Sequence, residues 1–352
     1  MMARAEILAW LTQGDLSRLE DLWSRADAVR REHVGNEVHL RGLVELSNYC
    51  VRMCGYCGLR AGNRAIERYR MTADEIFRCA ALAVELGYGT VVLQSGEDPL
   101  IEGTWLADLV RRIKAHTPLA VTLSLGERSD EDLALWRSAG ADRYLLRFET
   151  SNRKLYDAIH PPLGGARSDR IAMLRRLREM GYEIGSGVMI GIPGQTHADL
   201  ARDIELFGEL DLDMIGVGPF IAHPDTPLAS AVAAAAGQVA ADELTTYKVV
   251  ALARLACPRA NIPATTALAT LNLTQGRELG LSRGANIVMP NLTPVQYRAK
   301  YEIYPAKACV KETARDCHQC LSQRILNLGR TIGVGRGDSP RMAHARNRGL
   351  SK

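Results

Sequence analysis

The sequence predicts an α/β fold, a complete (β/α)8 TIM barrel with a helical N-terminal extension, and three observations carry this expectation. A unit recurs along the chain: an apolar or β-branched run, a loop, a capped helix, then glycine. Eight such runs fall within roughly 250 residues, the usual span of a closed barrel. Regular alternation of strand and helix implies parallel pairing, with an open doubly wound sheet as the alternative.

Residues 1–35 form the expected extension. Within DLSRLEDLWSRADAVRR (15–31), Leu16, Leu19, Leu22, Trp23 and Val29 recur at helical spacing. The barrel is expected over 36–330. Its strands are LVELS (43–47), TVVLQ (90–94), LAVTLS (119–124), RYLLR (143–147), GSGVMIG (185–191), MIGVG (214–218), IPATT (262–266) and NIVM (286–289). Between them, Thr72 with Glu75 has capping-box spacing, and Ser129 with Asp132 is similar. Gly87, Gly140 and Gly181 each follow a helix and precede a strand, where a left-handed cap favours glycine. Residues 331–352 are basic and carry no apolar periodicity, so they read as a flexible tail.

The chain has 352 residues and a formal net charge of +4. Much of that excess lies in the tail, which is not a nucleic-acid footprint. No secretory signal is visible, and no run approaches the roughly 18 apolar residues of a membrane span. Eight cysteines without an export signal point to a reducing cytoplasm, where clustered thiols more often hold metal than form disulfides.

In such a barrel the chemistry sits at the C-terminal ends of the strands. The first of those loops is SNYCVRMCGYCGLR (47–60), with Cys50, Cys54 and Cys57. Thiolates favour soft metals and iron–sulfur clusters. A structural zinc site generally takes four ligands; three leave one position open. The spacing Cys-x3-Cys-x2-Cys, with Tyr56 before the last cysteine, resembles the radical SAM superfamily. Zinc and incidental thiols are the other readings. The resemblance implies a [4Fe–4S] cluster with one open iron, S-adenosylmethionine (SAM) bound there, and radical chemistry that belongs to the cofactor. By the same resemblance Ser95-Gly96-Glu97 matches a Gly-Gly-Glu segment that meets the methionine amino group. Glu149 and Arg170 match positions that hold SAM polar groups, Arg170 being suited to a bidentate carboxylate contact. Met214 falls near the methionine or substrate region.

The segments RYRMTADEI, VVLQSGEDP, DRYLLRFET, GPFIAHPDTPLA, GANIVMPNLTP and YEIYPAKACV resemble, more closely, the HydE family of [FeFe]-hydrogenase maturases. The match runs from about residue 30 to 325. Phe148 departs from it, standing where that family commonly has histidine. The resemblance implies action on a cysteine-bound Fe(CO)2(CN) complex supplied by a companion radical SAM enzyme. It also implies an electron donor such as ferredoxin or flavodoxin, and a GTPase maturase as a further partner. Substrate groups are expected from Gln94, Thr122, Arg143, Arg147, Thr265, Thr266 and Tyr301, with Arg147, Thr266 and Tyr301 closest to the chemistry. Arg143 and Arg147, four apart on one strand, are expected to face the same side. Thr122, Thr265 and Thr266 have a plainer reading as β-formers in the wall.

Cys309, Cys317 and Cys320 form Cys-x7-Cys-x2-Cys. The resemblance implies a second cluster here, [2Fe–2S] or [4Fe–4S], with zinc as the competitor. Cys79 and Cys257 read as buried apolar residues. A mutase similar to methylornithine synthase, an enzyme similar to biotin synthase, and an iron–sulfur carrier without turnover are the alternative functions.

Overall fold

The computed structural model describes residues 2–231 and 237–341. Two helices open the chain, α1 (Arg4–Thr12) and α2 (Leu16–Val34). Asp15 starts α2 by accepting a hydrogen bond from the Ser17 N–H, which satisfies one of the free donors of a first turn. Strands and helices then alternate: β1 (Glu37–Ser47), α3 (Ala73–Glu85), β2 (Thr90–Ser95), α4 (Gly103–His116), β3 (Ala120–Ser124), α5 (Asp130–Ser138) and β4 (Arg143–Leu145). Two helices, α6 (Arg153–Ile159) and α7 (Arg170–Glu179), precede β5 (Glu183–Ser186) and β6 (Met189–Ile190). After α8 (His197–Glu209) come β7 (Met214–Ile215), β8 (Gly218–Pro219), α9 (Glu243–Ala256), α10 (Thr266–Leu271) and α11 (Gly276–Ser282). The last elements are β9 (Ile287–Val288), α12 (Val295–Arg298), α13 (Ala314–Asn327) and β10 (Thr331–Ile332). No helix among the described residues is long and apolar enough to cross a membrane.

The local signals act as expected. Thr72 and Glu75 exchange both capping-box bonds, and Ser129 caps α5 by accepting from the Asp132 N–H. Gly87, Gly140 and Gly181 have φ of +74°, +107° and +85°, a region L side chains avoid.

The strands form a parallel sheet in the order β10-β1-β2-β3-β4-β5-β7, with β9 also beside β1. β6 and β8 pair with each other. The sheet is curled into a partial barrel wrapped by helices. β1 is buried along almost its whole length, as a parallel strand covered on both faces must be. The N-terminal helices lie on the outer layer, where α1 meets α8 and α2 meets α9. Lys248 of α9 ties them down through the Leu11 and Gln13 carbonyls, at 3.0 and 2.6 Å.

Two expectations need correction. A complete barrel of eight regular strands is not what forms, because the seventh run, 262–266, is not a strand. Pro263 has no N–H to give, and Thr265 already turns to cap α10 by accepting from the Leu268 N–H. Among the described residues, the chain at 261–264 joins the sheet's edges through the isolated bridges Met214–Asn261 and Pro263–Ile287 and the hydrogen bonds around them. The second correction concerns the tail. Residues 331–341 are packed against the lower end of the sheet, and residues 342–352 lie outside the described residues. β10 pairs with Glu37 and Val38, and the Gly333 N–H donates to the Val38 carbonyl at 2.9 Å. Beyond it the contacts are polar, which is why apolar periodicity did not reveal them.

Arg143 is part of this floor. It is fully buried, 2.7 Å from Glu183, ion-paired with Asp338, and donates to Thr90 Oγ1 at 2.8 Å and the Arg336 carbonyl at 2.9 Å. Removing one partner of a buried ion pair leaves a charge uncompensated, at a cost of about 3–5 kcal/mol. Glu183→Ala should therefore lower the urea midpoint of the apoprotein markedly, and an unchanged midpoint would refute this role for the pair.

Candidate active site

β1 delivers the cysteine loop to the upper rim. From Asn48 to Arg60 the chain has no helix or strand, so its shape comes from hydrogen bonds to its surroundings. The Val51, Gly55 and Gly58 N–H groups donate to the carbonyls of Glu97, Ile159 and Ile303, at 3.0, 2.7 and 3.0 Å. Cys50, Cys54 and Cys57 are free and line one cavity of about 360 Å³. Burial raises all three thiols, Cys57 to about 12 and Cys54 further. Such groups give up their protons readily only to a metal, which favours the thiolate outright.

The same cavity is lined by Tyr56, Gln94, Ser95, Gly96, Glu97, Thr122, Arg147, Glu149, Arg170, Met214, Thr265, Thr266 and Tyr301. Of the expected site residues outside the second cysteine group, Arg143 is the exception. It belongs to the floor, because its guanidinium is consumed by Glu183 and Asp338. Gln94 Nε2 donates to the Tyr301 hydroxyl at 3.2 Å, and burial pushes that phenol well above its ordinary range. Met214 Sδ accepts from Arg41 at 3.0 Å. Among the described residues, four buried polar atoms in this wall have no hydrogen-bond partner: Arg41 Nε, Thr122 Oγ1, Arg147 Nε and Glu149 Oε2. Glu149 Oε2 lies 3.0 Å from Arg147 Nη2 without the alignment of a hydrogen bond. Buried polar groups are nearly always satisfied, so these mark where a polar ligand belongs. Glu149 also has φ +61°, a strained conformation for a residue with a side chain.

Gly96 is required by space. A Cβ there would stand 2.3 Å from the Tyr49 carbonyl oxygen and 2.7 Å from Cys50 Cβ. Glu97 pairs with Arg52, and its Oε1 lies 3.1 Å from Arg170. Glu127 lies 3.0 Å from Arg52 and 2.9 Å from Arg170. Arg170 further donates to the Arg147 carbonyl and to His160 Nε2, both at 2.8 Å. With these partners four of its five N–H donors are engaged, so Arg170 offers a carboxylate one hydrogen bond rather than the bidentate fork expected. Arg52, Glu127 and His160 were missed. Arg52 stands between two of the cysteines and Glu127 lies in a rim loop, but nothing in the sequence near His160 signals it. Glu97, Glu127 and His160 place ligand atoms within 4.8 Å of one another. A cation is not needed there, since both carboxylates are matched by arginine. His160 is held neutral, its pKa lowered to about 3 by burial and then by Arg170.

A search against family descriptions matches residues 44–207 to the radical SAM superfamily. The [FeFe] hydrogenase maturase subunit HydE of Thermotoga maritima is 47% identical over 323 residues, covering 92% of this chain and 90% of that protein. The chain belongs to the HydE family of the radical SAM superfamily. The 3-methylornithine synthase of Methanosarcina barkeri is 29% identical over 78% of this chain and 75% of its own. Among solved structures, methylornithine synthase superposes with a TM-score of 0.79 at 25% identity, covering 95% and 94% of the two chains.

Membership of the radical SAM superfamily implies a [4Fe–4S] cluster and SAM. Three free thiols at one end of the cavity, with unpartnered polar atoms beside them, fit that pair of cofactors. Phe148, the departure from the HydE pattern, does not line the cavity. It is buried against Phe207 of α8, with ring centroids 5.9 Å apart.

Of the second cysteine group, Cys309 lies in the loop before α13. Cys317 and Cys320 are one turn apart on α13, Cys317 buried and Cys320 exposed. Cys309 lies 3.6 Å from both terminal nitrogens of Arg277. The Cys317 thiol, then Arg277, hold Cys309 well below the usual thiol range.

Gly96→Ala should displace the cysteine loop. After anaerobic reconstitution the variant should bind less iron than the wild type, read by iron assay and visible absorbance. Full iron loading would show that the close contacts at Gly96 do not matter.

Proposed function

We propose that this protein is a radical SAM maturase that acts on a cysteine-bound Fe(CO)2(CN) complex during assembly of the [FeFe]-hydrogenase active site. The observation that carries this reading is the 47% identity to the Thermotoga HydE maturase over nine-tenths of both chains. When bound, the cluster and SAM supply a 5′-deoxyadenosyl radical. Cys50, Cys54 and Cys57 hold the cluster. Ser95, Gly96 and Glu97 shape the methionine pocket, and Glu149 and Arg170 meet its polar groups. Tyr56 and Met214 close that pocket with apolar bulk.

Substrate is held by Gln94, Thr122, Arg147, Thr265, Thr266 and Tyr301. Hydroxyl and amide donors suit cyanide or carboxylate without adding charge. Arg147 supplies the cation, and its unpartnered Nε supports an anionic occupant. The bridges at Asn261 and Pro263 support a chamber in which the partial barrel shields the reacting groups. A companion radical SAM enzyme supplies the substrate, ferredoxin or flavodoxin the electron, and a GTPase maturase is a further partner. Cys309, Cys317 and Cys320 bind a second cluster.

A second reading, an amino-acid mutase, is favoured by the likeness to methylornithine synthase. The experiment that separates the two is turnover: reduced, reconstituted protein should consume the iron complex and leave lysine unchanged. Cys54→Ser should abolish 5′-deoxyadenosine formation; a wild-type rate would sink both readings. Thr266→Val and Arg147→Ala should retain SAM binding but lose productive attack on the complex. Loss of SAM binding alone would overturn their assignment to substrate. Cys320→Ser should lower iron content while leaving 5′-deoxyadenosine formation intact. Unchanged iron, or zinc at this site in the wild type, would exclude the second cluster.

A further inference from the structure

The four charges beside the cysteine loop form a closed cycle. Arg52 Nε meets Glu97 Oε2, and Glu97 Oε1 lies 3.1 Å from Arg170 Nη2. Arg170 Nε lies 2.9 Å from Glu127 Oε1, and Glu127 Oε2 lies 3.0 Å from Arg52 Nη2. Each carboxylate therefore gives one oxygen to each arginine, and the ring is neutral. None of the four side chains is more than 14% exposed. Burial disfavours the Glu127 carboxylate, yet Arg170, Ser168 and Arg52 together hold it below the usual range.

The members come from four separate rim segments. Arg52 is in the cysteine loop, Glu97 follows β2, Glu127 follows β3, and Arg170 begins α7. Gly126 lets Glu97 lie flat against the third loop, since a Cβ there would come within 1.9 Å of Glu97 Cγ. Ser168 donates to Glu127 and is itself 2.8 Å from the Tyr156 hydroxyl. His160 Nε2 takes one more Arg170 hydrogen.

We infer that this ring is a positioning device: it fixes the cluster-bearing loop against the wall that holds SAM, and Glu127 is the residue that closes it. The inference rests on the radical SAM reading. Glu127 itself lies behind Arg170 and acts through it. With three acceptors and a neutral imidazole constraining the guanidinium, the remaining Arg170 hydrogen points one way only. Opening the ring at Glu127 removes one of the two carboxylates that hold each arginine, while the backbone hydrogen bonds of the cysteine loop do not involve Glu127.

The test uses the full chain, reconstituted anaerobically, in wild-type, Glu127→Gln and Glu127→Asp forms. Iron and sulfide content, SAM affinity by equilibrium dialysis, and the change in the reduced cluster's electron paramagnetic resonance on adding SAM are measured. Glu127→Gln should keep the wild-type cluster content, bind SAM about tenfold more weakly, as loss of a charge-assisted hydrogen bond predicts, and give an altered SAM-bound spectrum. Glu127→Asp keeps the charge but not the reach to both arginines, and should fall between. If Glu127→Gln does not accumulate as folded protein, the Asp variant decides alone: weakened SAM binding with full iron supports the ring, and wild-type affinity overturns it. Loss of iron and SAM binding together would also overturn it, since the ring would then be general scaffold. Failure of the wild type to bind SAM would refute the underlying cofactor reading instead.

Discussion

Arg52 joins the cysteine loop to the rest of the rim through two carboxylates that it shares with Arg170. This loop has no regular secondary structure; the backbone hydrogen bonds of Val51, Gly55 and Gly58 shape it, and the ring sets its charged side against the rest of the rim. Buried charges are costly to bring out of water, and their mutual attraction offsets that cost only where every partner is fixed. A ring meets this condition better than a single pair, because no member can leave without exposing two others. The cysteines sit in apolar surroundings that favour protonated thiols; the fixed polar frame lies immediately beside them.

The floor follows the same logic with different residues. Arg143, Glu183 and Asp338 form a buried cluster, and Asp142 meets both Lys114 and Arg336, at 3.0 and 2.6 Å. Ser339 and Arg341 add contacts to Asp213 at 2.9 Å. Between these two polar ends the cavity is walled by apolar strand residues such as Leu43, Val92 and Ile287. Radical chemistry needs a dry interior, and the mutually satisfied groups of the floor leave no charge there without a partner.

Local rules made much of this legible. The capping boxes, the left-handed glycines and most strand starts each depend on a few neighbouring residues, and they were found where the sequence placed them. The cysteine spacing was equally local. Arg143 was misread because its partner Asp338 is 195 positions away, and strand alternation alone cannot say at which end a side chain sits. The segment 331–341 was misread because its contacts are hydrogen bonds and ion pairs, which leave no apolar pattern. The seventh strand failed because Pro263 and the helix-capping Thr265 compete with sheet pairing. His160 has meaning through Arg170, and Glu127 through Arg52 and Arg170 together, relations no spacing encodes.

The end of β4 explains why the departure at Phe148 leaves the cavity wall intact. Arg147 lines the cavity and Phe148, the next residue, points outward onto Phe207, as alternation along an extended chain requires. Continued alternation would return Glu149 inward, and the backbone does so with φ +61°. That conformation costs of order 1–2 kcal/mol for a residue with a Cβ. It is retained although Glu149 Oε2 has no hydrogen-bond partner among the described residues. That oxygen faces Arg147 Nη2 at 3.0 Å without a hydrogen bond's alignment. Backbone strain of this kind clusters at ligand-binding positions, and Phe148 packs outward onto Phe207 beside it.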